Sequence, residues 1–394
     1  MINESKEALG LIEKKLKELR DEVPPRNFNH KKPAEVEINQ FWFENKTIDR
    51  IMVVLRATGC SHYKLKQGCS MCAHYNATTE TPISAEDYIT QWKNVVNGSE
   101  IEKKTDFDIN NYPVLCLYNL GSFLNPEEVP IKAMEEIFAS INSLPGIKKT
   151  IIESRAEYVN PEVLEKIRKV NNGLIEVGIG LESINDDVRE LCHHKNMPDL
   201  AVFLKAIKTL HQYDFKALTY VNQKPSFLTE KESIDDAIET TIFAFDNGTD
   251  AVSIEPTSLQ ANSLTDYLYR IGMYRVPWLW SVIEVVRGIT EKVGSNLDLR
   301  IGGYFEEEIL SGSQGIASGS ERNELFPYTT SGNCAKCNNR IIDAIKRYNK
   351  TYDSNILFDE KPCESCFSIW KSTLTVNDSR SIPKRIIDSL GGIK

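Results

Sequence analysis

The sequence predicts an α/β fold in which six parallel strands form a partial, TIM-like barrel, with a helical extension before it and a small cysteine-rich, metal-binding appendage after it. Apolar runs of strand length alternate along the chain with helical patterns, as in repeated βα units. Hydrophobic residues make up 41% and charged residues 26% of the 394 residues, which is typical of a globular protein with a sizeable core. Four of the nine cysteines form two late Cys-x-x-Cys pairs, a spacing common in metal sites.

Charge and hydropathy restrict the possible functions. A formal net charge of −9 argues against non-specific nucleic-acid binding by the whole surface, because neutralising phosphates needs an excess of Lys and Arg. A local basic patch is still allowed.

The first thirty residues contain no apolar core with a small-residue cleavage site, so we expect a cytoplasmic protein. The most apolar later stretch, residues 276–286, contains Glu284 and is shorter than the roughly 20 residues of a spanning helix, so we expect no membrane association.

The first element is predicted to be an amphipathic surface helix over residues 4–22. Its apolar residues recur three or four positions apart among many charges: Leu9, Ile12, Leu16 and Leu19. Pro24 and Pro25 follow the helix, and proline cannot continue one because it lacks the backbone N–H. The mixed composition up to residue 46 predicts an irregular lead-in.

Six strand patterns then alternate with helical patterns. The strand patterns cover residues 51–55, 114–118, 150–153, 175–180, 216–221 and 251–255. The helical patterns between them cover residues 85–96, 131–141, 161–170, 200–211 and 232–246. Strands separated by helices predict a parallel sheet with right-handed crossovers. A helix over residues 277–290 and a further strand near 297–301 are expected to follow.

These patterns divide the chain into three predicted parts. Residues 1–46 form the helical extension and lead-in, and residues 47–310 form the barrel. Residues 311–394 form a linker and the four-cysteine region. Residues 311–320 are rich in Ser and Gly, a composition typical of linkers and mobile loops.

Three cysteines share one loop directly after the first predicted barrel strand, in the segment CSHYKLKQGCSMC of residues 60–72. Loops at the carboxyl ends of barrel strands build active sites. Cys60, Cys69 and Cys72 can supply three thiolates to a four-iron cluster, which leaves one iron open to an external ligand. One alternative is a structural zinc site completed by His62 or His74. Another is three unrelated packed cysteines.

This loop resembles the signature of the radical S-adenosylmethionine (SAM) superfamily, with two residues between its last two cysteines. The eight residues between Cys60 and Cys69 depart from the commonest spacing, which is shorter. The resemblance implies a radical SAM barrel with a 4Fe-4S cluster on these three cysteines. It also implies that the open iron holds the amino and carboxylate groups of SAM, and that an electron cleaves SAM to methionine and a 5′-deoxyadenosyl radical. In such enzymes the cofactor carries the chemistry and the protein orients the reactants.

Other predicted strand ends carry glycine or charged residues. Gly121 lets the backbone approach a ligand closely. Charges at buried strand ends need partners, which a zwitterionic ligand or an internal ion pair would provide. Carboxylates also suit a cationic sulfonium and ribose hydroxyls. The resemblance implies the following SAM contacts: Met71, Gly121, Ser122, Glu153, Arg155, Glu182 and Glu255.

The late pairs, Cys334 with Cys337 and Cys363 with Cys366, make a four-thiolate set. Such a set predicts a structural zinc, although an auxiliary iron-sulfur cluster or a redox role would use the same ligands. The 25 residues between the pairs exceed the usual spacing and include a predicted helix over 340–348. Two single cysteines, Cys116 and Cys192, are expected to be buried small hydrophobes.

Several segments together resemble the archaeosine synthase radical-SAM subunit family. They are GCSMC (68–72), GSF (121–123), ESR (153–155), SIEPT (253–257), YRVPWLWS (274–281) and NCAKC (333–337) followed by DAI (343–345). The resemblance implies a partner subunit that transfers lysine to a 7-cyano-7-deazaguanine base in the D-loop of archaeal tRNA. The radical would then cleave the lysine-derived carbon-nitrogen bond and leave the formamidine of archaeosine. A reductant such as ferredoxin or flavodoxin is also implied.

The acidic charge fits a tRNA substrate poorly. Either the partner supplies the phosphate contacts, or three basic segments gather on one face, namely residues 26–32, 189–195 and 380–385. Each segment alone is typical of solvated surface. A radical SAM enzyme of the elongator-subunit-like or methylthiotransferase type, acting on another RNA base or a small molecule, is an alternative. A zinc-binding adaptor for RNA or protein is the non-enzymatic alternative.

Overall fold

The computed structural model describes residues 2–24, 26–100, 106–302 and 328–392. Within these ranges, eight strands form one sheet in chain order. They are β1 (Glu35–Phe43), β2 (Lys46–Val54), β3 (Val114–Tyr118), β4 (Lys149–Glu153), β5 (Leu174–Gly180), β6 (Lys216–Gln223), β7 (Ala251–Pro256) and β8 (Leu299–Ile301). The predicted linker over residues 311–320 lies outside the described residues.

The strands from β2 to β8 all pair in parallel with their neighbours. This confirms the predicted partial barrel, with β2 to β7 as the six expected strands and β8 at the site of the further strand. Side chains from β3, β4, β6 and β7 meet in one cluster on the inner face, through Cys116, Ile151, Leu218 and Ala251. A sheet whose distant strands share contacts on one face must be curled toward that face.

The predicted irregular lead-in is wrong for residues 35–43, which form β1 and pair antiparallel with β2. The two-residue turn between them, Glu44 and Asn45, has φ of 49° and 59°. Positive φ at both turn positions matches the twist of a two-residue hairpin. Because Glu44 is an unusual residue for such a turn, the sequence lacked the Asn-Gly or Asp-Gly signal that marks most hairpins.

Helices cover the outer face of the sheet, and several begin at residues suited to helix starts. The capping box of helix α7 (Glu230–Asp246) uses Thr229 and Glu232, and helix α5 (Pro161–Val170) begins with Asn160 as cap and Pro161 in its first turn. The helices are α1 (Ile2–Asp21), α2 (Ser61–Lys66), α3 (Ala85–Val96), α4 (Ile131–Asn142), α5 (Pro161–Val170), α6 (Leu200–Gln212), α7 (Glu230–Asp246), α8 (Leu264–Arg270), α9 (Leu279–Val293), α10 (Ala335–Asn349), α11 (Asn355–Phe358), α12 (Glu364–Leu374) and α13 (Ile382–Leu390). No helix in the described ranges is long and apolar enough to cross a membrane.

The two ends of the chain pack against the barrel in different ways. Ala8, Ile12 and Leu16 of α1 form a small cluster with Ile386 and Leu390 of α13. The apolar face predicted for the first helix is therefore covered by the last. The buried side chains of α10 and α12 belong instead to the main core, which is continuous with the barrel.

A charged network fills the amino-terminal end of the barrel. Glu176 accepts from Lys149 Nζ at 2.7 Å and from Arg300 Nη1 at 2.7 Å, and all three residues are buried. The ring of Phe41 lies beside three cations, with Arg50 Cζ 4.7 Å and Arg300 Cζ 5.4 Å from its centroid and Lys149 Nζ at 5.9 Å. The hairpin strand β1 thus helps to close this end of the barrel.

The Glu176 network predicts acid sensitivity. Burial alone would raise the pKa of Glu176, but Arg300 and Lys149 outweigh it and lower that pKa from 4.5 to about 2. When the pKa of a carboxyl group is lower in the folded protein than in the unfolded chain, ionisation of that group stabilises the fold at any pH above the unfolded-state pKa. For Glu176 this stabilisation is lost as the pH falls from about 4.5 toward 2. Glu176→Gln should therefore lower the free energy of unfolding near neutral pH. The variant's free energy of unfolding should also change less with pH between about 4.5 and 2.

We expect Glu176→Gln to cost about 3 kcal/mol of unfolding free energy at pH 7, because it removes the carboxylate that pairs with buried Lys149 and leaves Arg300 paired with Asp298. Urea unfolding between pH 2 and 7 measures both effects. Glu165→Gln is the control, since it breaks only an exposed pair with Lys169 and should change stability little. Equal stability losses in the two variants would contradict a structural role for the network.

Candidate active site and candidate metal centre

The cluster loop, residues 60–72, follows β2 at the carboxyl end of the parallel strands, here called the barrel mouth. Cys60 directly precedes α2, and Cys69 and Cys72 follow that helix. All three are free and half-buried. Burial raises the pKa of Cys60 and of Cys72 to about 12, because a thiolate loses its hydration there. A bound metal would hold these thiols deprotonated.

Sulfur spacing distinguishes the two cysteine groups. Tetrahedral zinc with bonds of about 2.3 Å places its thiolates about 3.8 Å apart. The late Cys334, Cys337 and Cys366 have their sulfur atoms within 4.8 Å of one another. In the parts of the chain that the structure describes, the three early thiols form no such set, either with one another or with a histidine. The late cysteines are therefore the group whose sulfur atoms already lie at a spacing close to that of a single-ion site.

A buried carboxylate anchors the start of the cluster loop. Glu128 accepts from the backbone N–H of Ser61 at 2.8 Å and from the N–H of Ser122 at 2.5 Å. Asn125 Nδ2 donates to the same carboxylate at 3.0 Å. The Glu128 side chain therefore joins the residue after Cys60 to the turn that follows β3.

The predicted Gly121 has a steric role in this anchor. A Cβ atom at Gly121 would lie 2.1 Å from Glu128 Oε2 and 3.0 Å from the Cys60 Cα atom. Glycine is required because the turn after β3 packs directly against the backbone of the first cluster cysteine. Ser122, which is fully buried, accepts from the backbone N–H of Arg155 at 3.2 Å.

A second anchor is the His-His-Lys segment, residues 193–195, which follows a π-turn at Val188–Cys192. Ser70 donates its N–H to the His193 carbonyl at 2.9 Å. The ring of His194 is 2.6 Å from the Gly68 carbonyl through Nδ1, and the ring of His62 is 2.8 Å from the His194 carbonyl through Nε2. His194 has a φ of 51°, a costly conformation that persists when surrounding contacts require it.

A third anchor comes from the loop after β7. Gln260 Oε1 accepts from the backbone N–H of Ala73 at 2.8 Å. The Tyr75 hydroxyl donates to the Asn262 carbonyl at 2.6 Å, and Thr265 N–H donates to the Ser70 carbonyl at 3.2 Å. The cluster loop is therefore fixed by segments that follow three other strands of the barrel.

The three predicted acidic strand ends meet at the barrel mouth. Glu153 accepts from the Tyr220 hydroxyl at 2.9 Å, and Glu182 pairs with Lys195 Nζ at 2.8 Å. Glu255 accepts from Ser253 Oγ at 2.6 Å. Burial, together with the charges of Glu153 and Glu182, raises the pKa of Glu255 to about 7. Such mutual influence shows that the three carboxyl groups share one region.

Arg155 and Met71 complete the predicted contacts. The Arg155 guanidinium donates to Glu157 at 2.5 Å and to the Lys195 carbonyl at 2.8 Å. Glu157 thus provides an internal ion pair for the Arg155 charge. Met71 lies half-buried between the last two cluster cysteines.

The prediction of solvated surface for residues 189–195 is wrong. Arg189 is fully buried and donates to the Met197 carbonyl at 2.7 Å, and Lys195 is buried against Glu182. In the third basic segment, Arg385 is buried and makes a bidentate pair with Glu232 at 2.7 and 2.8 Å. These cations cannot form a basic face for RNA.

The late cysteines form the candidate metal centre. Cys334 is the residue before α10 and Cys363 the residue before α12, so each pair lies at a helix start, where backbone N–H groups favour thiolates. The sulfur atoms of Cys334 and Cys363 are 3.5 Å apart, and Cys363 donates its N–H to Cys337 Sγ at 3.4 Å. The Ser365 hydroxyl and the Cys366 N–H lower the pKa of Cys363 to about 6. The four thiols therefore converge despite the long segment between the pairs.

The Trp-rich segment of residues 277–281 docks this centre to the barrel. Trp280 Nε1 donates to Cys366 Sγ at 3.1 Å, and Trp370 of α12 donates to Ser281 Oγ at 3.0 Å. Both tryptophans are buried. The helix predicted over residues 277–290 is present as α9, and its start supplies a hydrogen bond to a candidate metal ligand.

Sequence patterns did not identify three residues that organise these sites: Glu128, Lys195 and His194. Glu128 lies in the loop NPEEVP, where nothing separates it from its exposed neighbour Glu127. Lys195 and His194 were placed in a basic surface segment. Only the positive φ of His194, or its burial, would have marked it, and neither is visible in sequence. Both single cysteines, Cys116 and Cys192, are buried as predicted.

No family model matches the chain. Archaeosine synthase subunit beta of Thermococcus kodakarensis is 30% identical over 82% of this chain and 90% of its own length. The protein of the same name from Methanosarcina acetivorans is 27% identical over 83% of this chain and 86% of its own. Among solved structures, queuine lyase from Clostridium spiroforme is 23% identical over 56% of this chain and 80% of its own, with a TM-score of 0.39.

The Glu128 anchor predicts a local effect on the cluster loop. Glu128→Ala leaves the N–H groups of Ser61 and Ser122 without their acceptor, which should cost roughly 1 to 3 kcal/mol for each group that stays buried. We expect faster amide hydrogen exchange in peptides that cover residues 58–66 and 120–126. Glu127→Ala removes an exposed carboxylate and is the matched control. Unchanged exchange in the Glu128 variant would show that the anchor is dispensable.

The Trp280 hydrogen bond predicts an effect on metal affinity. Partners that donate to metal ligands typically change affinity by about 10-fold to 100-fold when removed. Trp280→Phe should therefore weaken Zn²⁺ binding by about 10-fold in competition with a chromophoric chelator. Trp370→Phe loses a comparable hydrogen bond to Ser281 but none to sulfur, so it should retain wild-type affinity. If both variants bind Zn²⁺ equally well, the bond to Cys366 does not tune the centre.

Proposed function

The chain belongs to the archaeosine synthase subunit beta family, within the radical SAM superfamily, and we propose that it cleaves the lysine-derived carbon-nitrogen bond of a modified 7-deazaguanine base in tRNA to form archaeosine. In this proposal Cys60, Cys69 and Cys72 hold a 4Fe-4S cluster that binds SAM. The observation that carries the proposal is the cluster loop itself, because it presents three free thiols at the barrel mouth.

The surroundings of the loop fit such a cluster. Cys69 lies near the cations Lys195 and Arg155, whose charges favour its thiolate and oppose the burial that raises its pKa. Compensating cations are needed because three thiolates carry more negative charge than a buried site tolerates alone. When bound, the cluster and SAM supply the one-electron chemistry that generates a 5′-deoxyadenosyl radical.

The proposed SAM contacts are the seven residues identified from the sequence. Glu153, Glu182 and Glu255 offer carboxylates to the sulfonium and to ribose hydroxyls, and they meet at the mouth beside the cluster loop. Gly121, Ser122 and Arg155 also position the loop and its neighbours through their own contacts. Met71 would contact SAM from within the loop.

Within this proposal the protein's own part is to orient the reactants and exclude water. The inner cluster of Cys116, Ile151, Leu218 and Ala251 is apolar and buried, and the Glu176 network closes the far end of the barrel. A substrate carbon must lie close to the reactive carbon of SAM and away from solvent. A barrel closed at one end and open at the other meets both needs.

The proposal includes a lysine-transferring partner subunit, a reductant such as ferredoxin or flavodoxin, and a cytoplasmic location with tRNA. It also includes a structural zinc on Cys334, Cys337, Cys363 and Cys366. The close approach of three of these sulfur atoms supports zinc. The same thiolates would accept an auxiliary iron-sulfur cluster, and metal analysis of anaerobically purified protein distinguishes the two.

Loss of a cluster ligand tests the chemistry. Cys69→Ala should abolish reductive cleavage of SAM to 5′-deoxyadenosine and lower the iron content by the early cluster, while the fold persists. Cys116→Ala is the control, because Cys116 is a buried cysteine of the inner cluster that the proposal gives no ligand role. Both variants are assayed anaerobically with dithionite, SAM and product chromatography. Undiminished 5′-deoxyadenosine in Cys69→Ala would refute the assignment.

The substrate is tested by incubating the anaerobic protein with tRNA bearing the lysine adduct, SAM and a reductant. Nucleoside mass analysis should show loss of the adduct and gain of archaeosine. The unmodified tRNA serves as control and should yield no new nucleoside. Cleavage of SAM without conversion of the adduct would leave a radical SAM enzyme but exclude this substrate.

A further inference from the structure

The surface of the cluster loop carries an exposed tip, residues 64–66, formed by Lys64, Leu65 and Lys66 of α2. All three side chains are exposed, and Leu65 is 71% exposed. An exposed leucine between two lysines on the loop that holds the candidate cluster has no role in the packing of the fold. Its position at the barrel mouth places it where a large substrate must approach.

The tip is held rigidly, although it makes few contacts of its own. Glu128 fixes the first N–H of α2, and Arg20 of α1 donates to the Tyr63 carbonyl at 2.9 Å. The Tyr63 hydroxyl donates to the Thr58 carbonyl at 2.6 Å. After the helix, Gly68 has a φ of 88°, and a Cβ there would lie 2.9 Å from Tyr63 Cβ. A fixed backbone lowers the entropy lost when the exposed side chains bind a partner.

The two lysines also carry uncompensated charge. Among the described residues, neither ammonium group has a carboxylate oxygen within 4.0 Å. On the neighbouring α1, by contrast, Lys15 and Lys17 pair with Glu18 and Asp21 at 2.6 and 2.5 Å. The protein has a net charge of −9, yet it keeps two unpaired cations beside its candidate active site. These cations favour an anionic partner at the exposed tip.

We propose that the exposed tip is an RNA contact, in which Lys64 and Lys66 bind backbone phosphates next to the target nucleotide and Leu65 packs against a base or ribose. This inference rests on the proposed function, since it assumes that the substrate is a tRNA base delivered into the barrel mouth. Lysines supply phosphate contacts without sequence preference, and apolar side chains pack against bases that have left the stack. The tip also replaces the basic segment 189–195, which is buried and cannot contact phosphate.

The test measures the salt dependence of binding to a fluorescently labelled, unmodified tRNA transcript by anisotropy. Each lost phosphate contact lowers the slope of log K against log salt by about 0.7 to 0.9, so Lys64→Ala combined with Lys66→Ala should lower it by about 1.4 to 1.8. Leu65→Ser should weaken binding without changing the slope. Lys46→Ala is the matched control, because Lys46 is exposed on the hairpin at the opposite end of the barrel, and it should bind like wild type.

A wild-type slope in the double lysine variant, or an equal loss in Lys46→Ala, would overturn the assignment. Thermal unfolding of every variant shows whether the fold is intact, and the substitutions are all at exposed positions. The proposed function is judged separately, by reductive SAM cleavage of the wild-type protein without RNA. An active radical SAM protein whose tRNA binding ignores the tip would therefore reject this inference alone.

Discussion

The architecture depends on one constraint, that a loop carrying three thiols be held in a fixed shape at the open end of a barrel. Apart from the short helix α2, the backbone groups of this loop need partners elsewhere in the fold. Glu128, the His-His-Lys segment and the loop after β7 supply them through buried contacts. Because the anchors follow different strands, the loop can be correctly formed only when the barrel around it has closed.

Charge is distributed unequally along the barrel axis. At the amino-terminal end, Glu176 is neutralised by Lys149 and Arg300, and the network is satisfied within the protein. At the mouth, Glu182 has a cationic partner in Lys195, whereas the side-chain donors to Glu153 and Glu255 among the described residues are the hydroxyl groups of Tyr220 and Ser253. Carboxylates that lack a cation favour a positively charged ligand, and a barrel closed at the other end directs that ligand to the mouth.

The late cysteines illustrate how a metal centre can be built into a core rather than added to it. Cys337 and Cys366 are buried in the same apolar cluster as the barrel helices, and Trp280 ties Cys366 to the start of α9. Metal binding there would stabilise the contact between α9, α10 and α12 as well as the local loop. The 25-residue separation of the pairs is bridged by α10 and α11, which bring the two helix starts together.

The sequence by itself determined the parallel strands, the main helices, the two cysteine groups and the acidic strand ends, because apolar periodicity and cysteine spacing are local properties. It did not reveal β1, whose turn at Glu44 and Asn45 lacks a standard hairpin signal, nor the burial of Arg189 and Lys195. In the sequence alone, Glu128 is indistinguishable from its neighbour Glu127. Only the tertiary structure decided these points, because which charge is buried, and which backbone N–H it accepts from, depends on segments that are distant along the chain and adjacent in the folded barrel.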